Sequence, residues 1–331
     1  MRLMTGYDTN LDDYYGMMID EAHERSLQVD ILLLLVKKLI ERRPDFKLII
    51  VSATVNADVF KKYFSTKGIS YGSYIPDKGT MYPIAEKYLS TPVNKDNFIK
   101  EMIKIIEKLL IGTDKGHILG FVTSKNDAFK VERHFTEILQ KNPNKYRVKP
   151  LCIAFASGIK DYKRVEKIVS DPNEYLQIPG GYGRKLIIST NVAESSITVD
   201  DVIYVVDSGL RYTKYYDPVK YAFVGGKLYI AQANIKQRCG RTGRTGKGNC
   251  IKMYTKDQYK KFDKYPVPEI SQSDITSTLL NILNLPFVGG LKEGMKFLND
   301  MITPPEKKFV ERAIFNLYYM QLIDERFNVT K

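Results

Sequence analysis

The sequence predicts an α/β protein: two parallel-sheet lobes in tandem, the first incomplete, followed by a small helical domain. Two observations carry this prediction. Apolar runs of strand length alternate with stretches of helical period, and from about Pro266 the strand signal gives way to amphipathic helices. In the first lobe GMMID reads as a strand, SLQVDILLLLVKKLIERR as a helix, FKLIIVSAT as a strand and NADVFKKYF as a helix. After the turn-rich stretch Ile75 to Pro83 a second series begins, with a helix over Asn97 to Leu110, a strand in HILGFVTS (117–124) and a helix near Asp127 to Gln140. The strands LCIAFAS, RKLIIST and VIYVVDSG follow, and then Arg211 to Ala231, two strand-like arms around a Gly225-Gly226 turn. Helices over Ile275 to Leu285 and Glu306 to Leu322 close the chain. These runs set boundaries at 1–80, 81–263 and 264–331. No repeat of solenoid period is present.

At 331 residues the chain has room for two or three cores. With 44% hydrophobic and 27% charged residues and no low-complexity tract, it has the composition of a folded protein. The longest apolar run, Ile31 to Val36, is far below the roughly 20 residues of a spanning helix, and the start lacks a signal-peptide core, so an intracellular chain in cytoplasm or nucleus is expected. Lys plus Arg outnumber Asp plus Glu by 51 to 38, a net charge of +13 that favours a polyanionic partner. Cys152, Cys239 and Cys250 are too few and scattered for a disulfide frame, which predicts free thiols in a reducing compartment. His23, His117 and His134 show no ligand spacing, which argues against zinc.

Chemistry concentrates in four short runs. In MIDEAHER, Asp20 and Glu21 follow a short apolar strand, placed to hold a metal ion or orient a water; a solvated strand end is the plainer alternative. Ser52 and Thr54 end the strand KLIIV, on the side where open α/β sheets bind ligands. The run from Ser189 to Thr198, STNVAESSIT, is rich in hydroxyl and amide groups suited to sugar and phosphate oxygens, or else is a capped helix start. In QRCGRTGR (237–244), Arg241 and Arg244 are three apart, so on a helix they share a face and offer two guanidinium forks to phosphate oxygens.

Taken in order, IDEAHERS, VSAT, FVTS, STNVAESSIT and QRCGRTGR resemble the motif series of the DEAH-box RNA helicases of superfamily two. The resemblance covers nearly the whole chain and implies two RecA-like lobes followed by a winged-helix domain. It implies ATP, or another NTP, with Mg2+ as cofactors: Asp20 holding the Mg2+ through water, Glu21 polarising the attacking water, His23 coupling the lobes, and Ser52 and Thr54 near the nucleotide. Gln237 would place the water, while Arg241 and Arg244 would reach the γ-phosphate. Thr123, Ser124, Thr190, Asn191, Ser195, Ser196 and Thr198 would grip the backbone of single-stranded RNA, and the arms of 211–231 fall where family members carry a strand-separating hairpin, with an ordinary surface hairpin as the alternative.

The chain departs from the pattern in three places. A phosphate-binding loop G-x-x-x-x-G-K-[ST] should precede Asp20 and is absent; Thr245-Gly246-Lys247-Gly248 has Gly where the hydroxyl belongs and lies in the wrong lobe. The sequence starts within the family's motif LMTGY, which predicts an uncovered sheet edge and apolar faces and leaves a partner, an upstream-encoded fragment supplying the loop or a truncated reading frame as the alternatives. Val169 stands where family members usually carry a Phe stacked on the base, and the helical-bundle and OB-fold domains beyond the winged helix are missing, which weakens the expected grip on RNA. The expected function is therefore an ATP-dependent RNA helicase without its own phosphate loop. A non-hydrolysing RNA-binding remnant and a DNA helicase or translocase are the alternatives. Richness in Lys, Ile, Asn and Tyr points to an AT-rich genome, such as that of a large DNA virus or a parasite.

Overall fold

The computed structural model describes residues 10–52, 57–65, 69–74, 82–195 and 197–330. These fall into two compact units, one within Met1–Ile75, Lys214–Val224 and Pro266–Lys331, the other within Pro76–Thr213 and Gly225–Tyr265. Thr54, Ser196, the LMTGY run and most of the 75–83 turn lie outside the described residues.

In the first unit, β1 (Gly16–Ile19) pairs in parallel with β2 (Lys47–Ile50), in register from Gly16 opposite Lys47 to Ile19 opposite Ile50. Met17, Ile19, Leu48 and Ile50 face Leu33, Phe60 and Phe64, the last two on α2 (Ala57–Phe64). The alternate residues Met18, Ile49 and the following Val51 are exposed, at 63%, 52% and 40%. Helix α1 (Leu27–Arg42) is capped by Ser26, whose side chain accepts from the Val29 N–H at 3.3 Å. Its unbroken ILLLLV run is explained by burial on two sides. Leu33 packs towards the strands, whereas Ile31, Leu34, Leu35 and Leu39 join the core of α9 (Thr276–Leu283), α10 (Leu291–Asn299) and α11 (Lys307–Tyr319). The sequence draws boundaries after 80 and 263; the structure places both chain ends in one unit around this shared core. Beyond α11 an isolated antiparallel bridge joins Ile323 to Val329.

The second unit is built on six strands, β3 (Ile84–Tyr88), β4 (His117–Phe121), β5 (Pro150–Phe155), β6 (Arg184–Ser189), β7 (Val202–Asp207) and β10 (Gly248–Lys252). They lie in the order β3-β10-β7-β4-β6-β5, and every pairing is parallel. The chain is thus an α/β protein with a six-stranded parallel sheet, the arrangement of a RecA-like domain. Side-chain alternation sorts the strands onto two faces. Ile118, Leu186, Ile188 and Val206 meet α3 (Phe98–Gly112) and α4 (Lys125–Lys141) through Met102, Ile106, Val131 and Phe135. Leu119, Phe121, Ile187 and Val205 meet α5 (Tyr162–Ser170), α6 (Val192–Ser195) and α7 (Gln232–Cys239) through Val169, Ala193 and Ile235, and the short α8 (Lys256–Lys261) follows β10. A Cβ on Gly120 would lie 3.0 Å from Ile188 Cδ1 and 3.5 Å from Met102 Sδ, so glycine lets α3 close onto the sheet.

Three expectations are corrected here. The arms β8 (Leu210–Asp217) and β9 (Ala222–Tyr229) form a two-stranded sheet, but its turn is at 218–221, where the Asp217 carboxylate accepts from the Val219 and Lys220 N–H groups at 3.0 and 3.1 Å. Gly225 and Gly226 lie inside β9, and Gly225 leaves the space filled by the Tyr212 ring. Cys239 and Cys250 are not free thiols; they form a disulfide with Cα atoms 5.5 Å apart, because the end of α7 folds back against β10. The argument from scattered thiols to a reducing compartment lapses with that bond. Cys152 is free, and burial pushes its thiol up to about 12. Val169 is fully buried in the core beneath the sheet and has no face to offer a nucleotide base. Among the described residues no helix is long and apolar enough to cross a membrane.

His117, 6% exposed at the start of β4, accepts the Lys185 N–H on Nδ1 at 3.1 Å, with its ring edge-on to Tyr175. Burial first, and then the Lys185 charge, hold its pKa down to about 4. The unfolded chain therefore binds a proton that the folded chain refuses between about pH 6.5 and 4, and stability is lost as pH falls through that window, on the order of 3 kcal/mol in all. Denaturant unfolding at pH 7, 6 and 5 should show this decline, and His117→Asn, which retains an acceptor for Lys185 but cannot titrate, should flatten it. An unchanged pH dependence in that variant would assign the decline elsewhere.

Candidate functional site

The first unit holds the acidic motif. Asp20 and Glu21 follow β1 at its carboxyl end, and Ser52 stands two residues beyond β2, the strand paired with it. Hydrogen bonds from the Val51 N–H to the Ile19 carbonyl (2.8 Å) and from the Ala22 N–H to the Val51 carbonyl (3.2 Å) fix this turn. Glu21 is left-handed, with φ 53° and ψ 29°, a conformation uncommon for a residue with a Cβ; its N–H is taken by Asp20 Oδ1 at 2.8 Å. Asp20 is exposed. Glu21 is half-buried, and among the described residues its Oε2 makes no hydrogen bond while lying 3.3 Å from Nε2 of buried His23.

Arg25, which sequence reasoning passed over, anchors the segment. Its guanidinium forks onto fully buried Asp30 at 2.8 and 2.9 Å and donates to Thr303 Oγ1 at 2.6 Å, while the Leu27 N–H donates to the Glu269 carboxylate at 2.8 Å. The turn after Glu21 is thereby tied to residues 269 and 303.

In the second unit, FVTS and STNVAESSIT leave the carboxyl ends of adjacent strands β4 and β6. Thr123 is buried and its hydroxyl donates to Asp127 Oδ2; Ser124 donates to the same oxygen at 2.8 Å and caps α4 by accepting from the Asp127 N–H at 3.1 Å. Both hydroxyls are thus engaged with Asp127. Thr190 is buried, whereas Asn191 and Thr198 are exposed; Ser195 ends α6.

QRCGRTGR is pinned to this same segment. Arg238 is fully buried, donating from Nε to Glu194 Oε1 at 2.7 Å and from Nη1 to Asp207 Oδ1 at 2.8 Å and the Leu210 carbonyl at 3.2 Å. Asn234 reaches the other Glu194 oxygen at 3.1 Å, and the Tyr254 hydroxyl donates to Asp207 Oδ2 at 2.9 Å. Burial alone would lower the Arg238 pKa, but Glu194 and Asp207 outweigh it and hold the guanidinium above its ordinary value; burial and then Asp207 push the Tyr254 phenol far up. Neither Arg238 nor Asp207 was singled out from sequence. The signal was the acid closing VIYVVD and the first arginine of QRCGRTGR, both read as flanking letters.

The expectation that Arg241 and Arg244 share a helix face is corrected. Helix α7 stops at Cys239, with Gly240 as its cap, and the two arginines lie in the following turn, where Gly243 has φ 77°. Arg241 donates from Nη1 to the Ile197 carbonyl at 2.8 Å and from Nη2 to the Glu194 carbonyl. Arg244 is exposed, its Nε 3.4 Å from the Gly240 carbonyl. Gln237 on α7 is half-buried. The arrangement offers one embedded arginine, one that braces the 194–197 backbone, and one open to a ligand.

Residues 101–246 match the helicase conserved C-terminal domain. The chain is 34% identical to a putative ATP-dependent RNA helicase of Acanthamoeba polyphaga mimivirus, over 94% of this chain and 43% of that protein. It is 29% identical to a probable ATP-dependent RNA helicase of Homo sapiens, over 98% of this chain and 45% of that protein. The chain therefore spans less than half the length of these curated relatives. Residues 101–246, on the parallel sheet, thus carry the helicase conserved C-terminal domain, and the chain is similar over nearly its whole length to RNA helicases of superfamily two.

Proposed function

We propose that the chain is the part of a DEAH-box ATP-dependent RNA helicase that runs from the Asp-Glu-Ala-His motif through the second RecA-like lobe (81–263) into a winged-helix domain (264–331), with 1–80 belonging to the first lobe. A viral source accords with the mimivirus relative, and work on RNA in cytoplasm or nucleus follows from the reading. The observation that carries it is the locking of segment 190–198 to segment 237–244 through Glu194, Arg238 and Arg241, which couples a hydroxyl-rich loop to an arginine-rich one. A change at either loop is felt at the other, as an NTP-driven grip on a nucleic-acid backbone requires.

Asp20 and Glu21 would hold Mg2+ through water, with Ser52 and Thr54 near the nucleotide. Among the described residues no group of three or more His, Cys, Asp or Glu gathers. Mg2+ keeps several waters and takes ligands from substrate phosphates rather than from an all-protein cage, so two adjacent carboxylates are a sufficient protein donor set for it. Bound Mg2+ and ATP would supply the phosphoryl group and neutralise its charge. The chain's own share is smaller and local: Glu21, whose Oε2 has no hydrogen bond among the described residues, would orient a water, Gln237 would help place one, and Arg244 would be the exposed cation for the transferred phosphate. Asn191 and Thr198, exposed on their segment, would contact the RNA backbone together with Ser195 and Ser196; Thr190, Thr123 and Ser124 would shape those loops from within.

The test is a titration of fluorescent single-stranded RNA with the chain. Binding should show little sequence preference and weaken linearly in log–log form with salt, by about 0.7 per neutralised phosphate. Absence of binding at low salt, or binding indifferent to salt, would overturn the reading. The same oligonucleotide as DNA separates an RNA from a DNA enzyme through the 2′-hydroxyl. A second reading, a non-hydrolysing RNA-binding remnant, is favoured by one observation, the lack of any G-x-x-x-x-G-K-[ST] run in the sequence.

A further inference from the structure

On the surface of the first unit, residues from the hairpin and from α11 form a mixed stack of rings and a guanidinium. Arg312 lies over the Tyr221 ring at 3.1 Å and over the Phe315 ring at 4.8 Å from their centroids. Phe315 in turn stacks on Tyr319, with centroids 6.1 Å apart and planes 9° from parallel. Arg312, Phe315 and Tyr319 are spaced by three and four residues, so one face of α11 presents them in a row. The row is open to solvent: Tyr221 is 61% exposed, Phe315 52% and Tyr319 79%.

Three features set this stack apart from scattered surface aromatics. Tyr221 is held in the left-handed region at φ 56°, an unfavourable conformation for a bulky side chain, so its placement over Arg312 is imposed by the turn rather than found by a flexible residue. Among the described residues Arg312 has no carboxylate partner, and its Nε is buried without a hydrogen bond. The neighbouring Lys307 and Lys308 do pair, with Glu311 and Glu306 at 3.1 and 2.8 Å, so a carboxylate was within sequence reach of Arg312 and was used elsewhere.

We propose that this stack is a docking platform for unpaired bases of single-stranded RNA, separate from the motif loops that direct the backbone. A planar cation between rings, ending in an open aromatic face, suits a nucleobase. Bases stack on both aromatic and guanidinium planes whatever their identity, and the phosphates bring the negative charge that the unpaired Arg312 and a chain of net charge +13 attract. An apolar protein partner would gain nothing from a cation buried in the middle of its contact area.

The inference rests on the chain's binding RNA, and the experiment separates the two. Single-stranded RNA carrying 2-aminopurine is titrated with the wild-type chain, Phe315→Ala/Tyr319→Ala and Tyr319→Phe. The double variant should bind roughly five- to a hundredfold more weakly, as loss of one or two stacked bases implies. Its salt dependence should be retained and its quenching of 2-aminopurine lost, while Tyr319→Phe, which keeps the ring, should match the wild type. Both rings are exposed, so melting should not change; if the double variant melts lower, Tyr319→Ala alone replaces it as the deciding variant. No binding by the wild type would sink the RNA-binding reading itself. Wild-type affinity and quenching in the deciding variant would overturn the platform alone, as would self-association of the chain that this variant abolishes, because the patch would then seat a second copy.

Discussion

Replacing Arg238 by alanine is expected to remove about 3 to 5 kcal/mol of stability, the range for stripping one partner from a buried ion pair. The guanidinium is fully buried, forks between Glu194 and Asp207, and lies over the Phe121 ring at 4.8 Å. Its removal leaves Asp207, itself fully buried, and Glu194, 8% exposed, as uncompensated charges beside a cavity the size of the lost side chain. A loss of this size is a large fraction of the roughly 5 to 15 kcal/mol that holds a domain folded. Lysine should rescue only in part, since a single ammonium cannot span two carboxylates. Chemical denaturation of the three proteins measures this. A loss below about 1 kcal/mol, as at an exposed pair, would mean that the network does not hold the two loops together.

The second large effect is on catalysis. The chain by itself should hydrolyse ATP weakly or not at all, because it encodes no lysine and hydroxyl of a phosphate loop. Supplied with a segment carrying that loop, Arg244→Ala should lower RNA-stimulated hydrolysis at least about a hundredfold if, as proposed, this arginine stabilises the transferred phosphate. Arg244 is exposed and, among the described residues, is held by a 3.4 Å contact to the Gly240 carbonyl, so melting temperature and RNA affinity should hardly change. Arg241→Ala should behave differently, lowering turnover and melting temperature together, since it braces the carbonyls of Glu194 and Ile197. Turnover that survives Arg244→Ala would show that QRCGRTGR is structural here. RNA-stimulated turnover by the unsupplemented chain, abolished by Glu21→Gln, would instead show that the phosphate loop is dispensable.

The two units and their chemistry were not equally legible in the sequence. Strands β4 to β7 were readable because each is buried on both faces and so reads as an apolar run bounded by polar letters, from HILGF to VIYVVD. Helices α1, α3 and α4 were readable from their period, and the motif letters fell at strand ends because parallel sheets gather their loops at one edge. Strands β3 (IAEKY) and β10 (GNCIK) escaped notice. They are short and partly polar, and β10 tolerates Lys252, 2% exposed, only because Glu86 and the Tyr88 hydroxyl on the neighbouring strand take its ammonium at 2.7 and 2.9 Å.

What the sequence determined by itself is whatever depends on neighbours along the chain: apolar period, helix caps such as Ser26 and Ser124, and the order of the motifs. Only the tertiary structure decided the rest, because it depends on which distant residues meet. Arg238 became the centre of the second unit when Glu194 and Asp207, 44 and 31 residues away, closed on it. Cys239 found Cys250 when α7 folded back on β10, and Arg241 turned inward to two carbonyls while Arg244 stayed in solvent. A guanidinium carries the same charge in all three arginines of that motif. Burial and the placement of opposite charge, neither of which is written in local spacing, make one of them a keystone, one a brace and one a free cation.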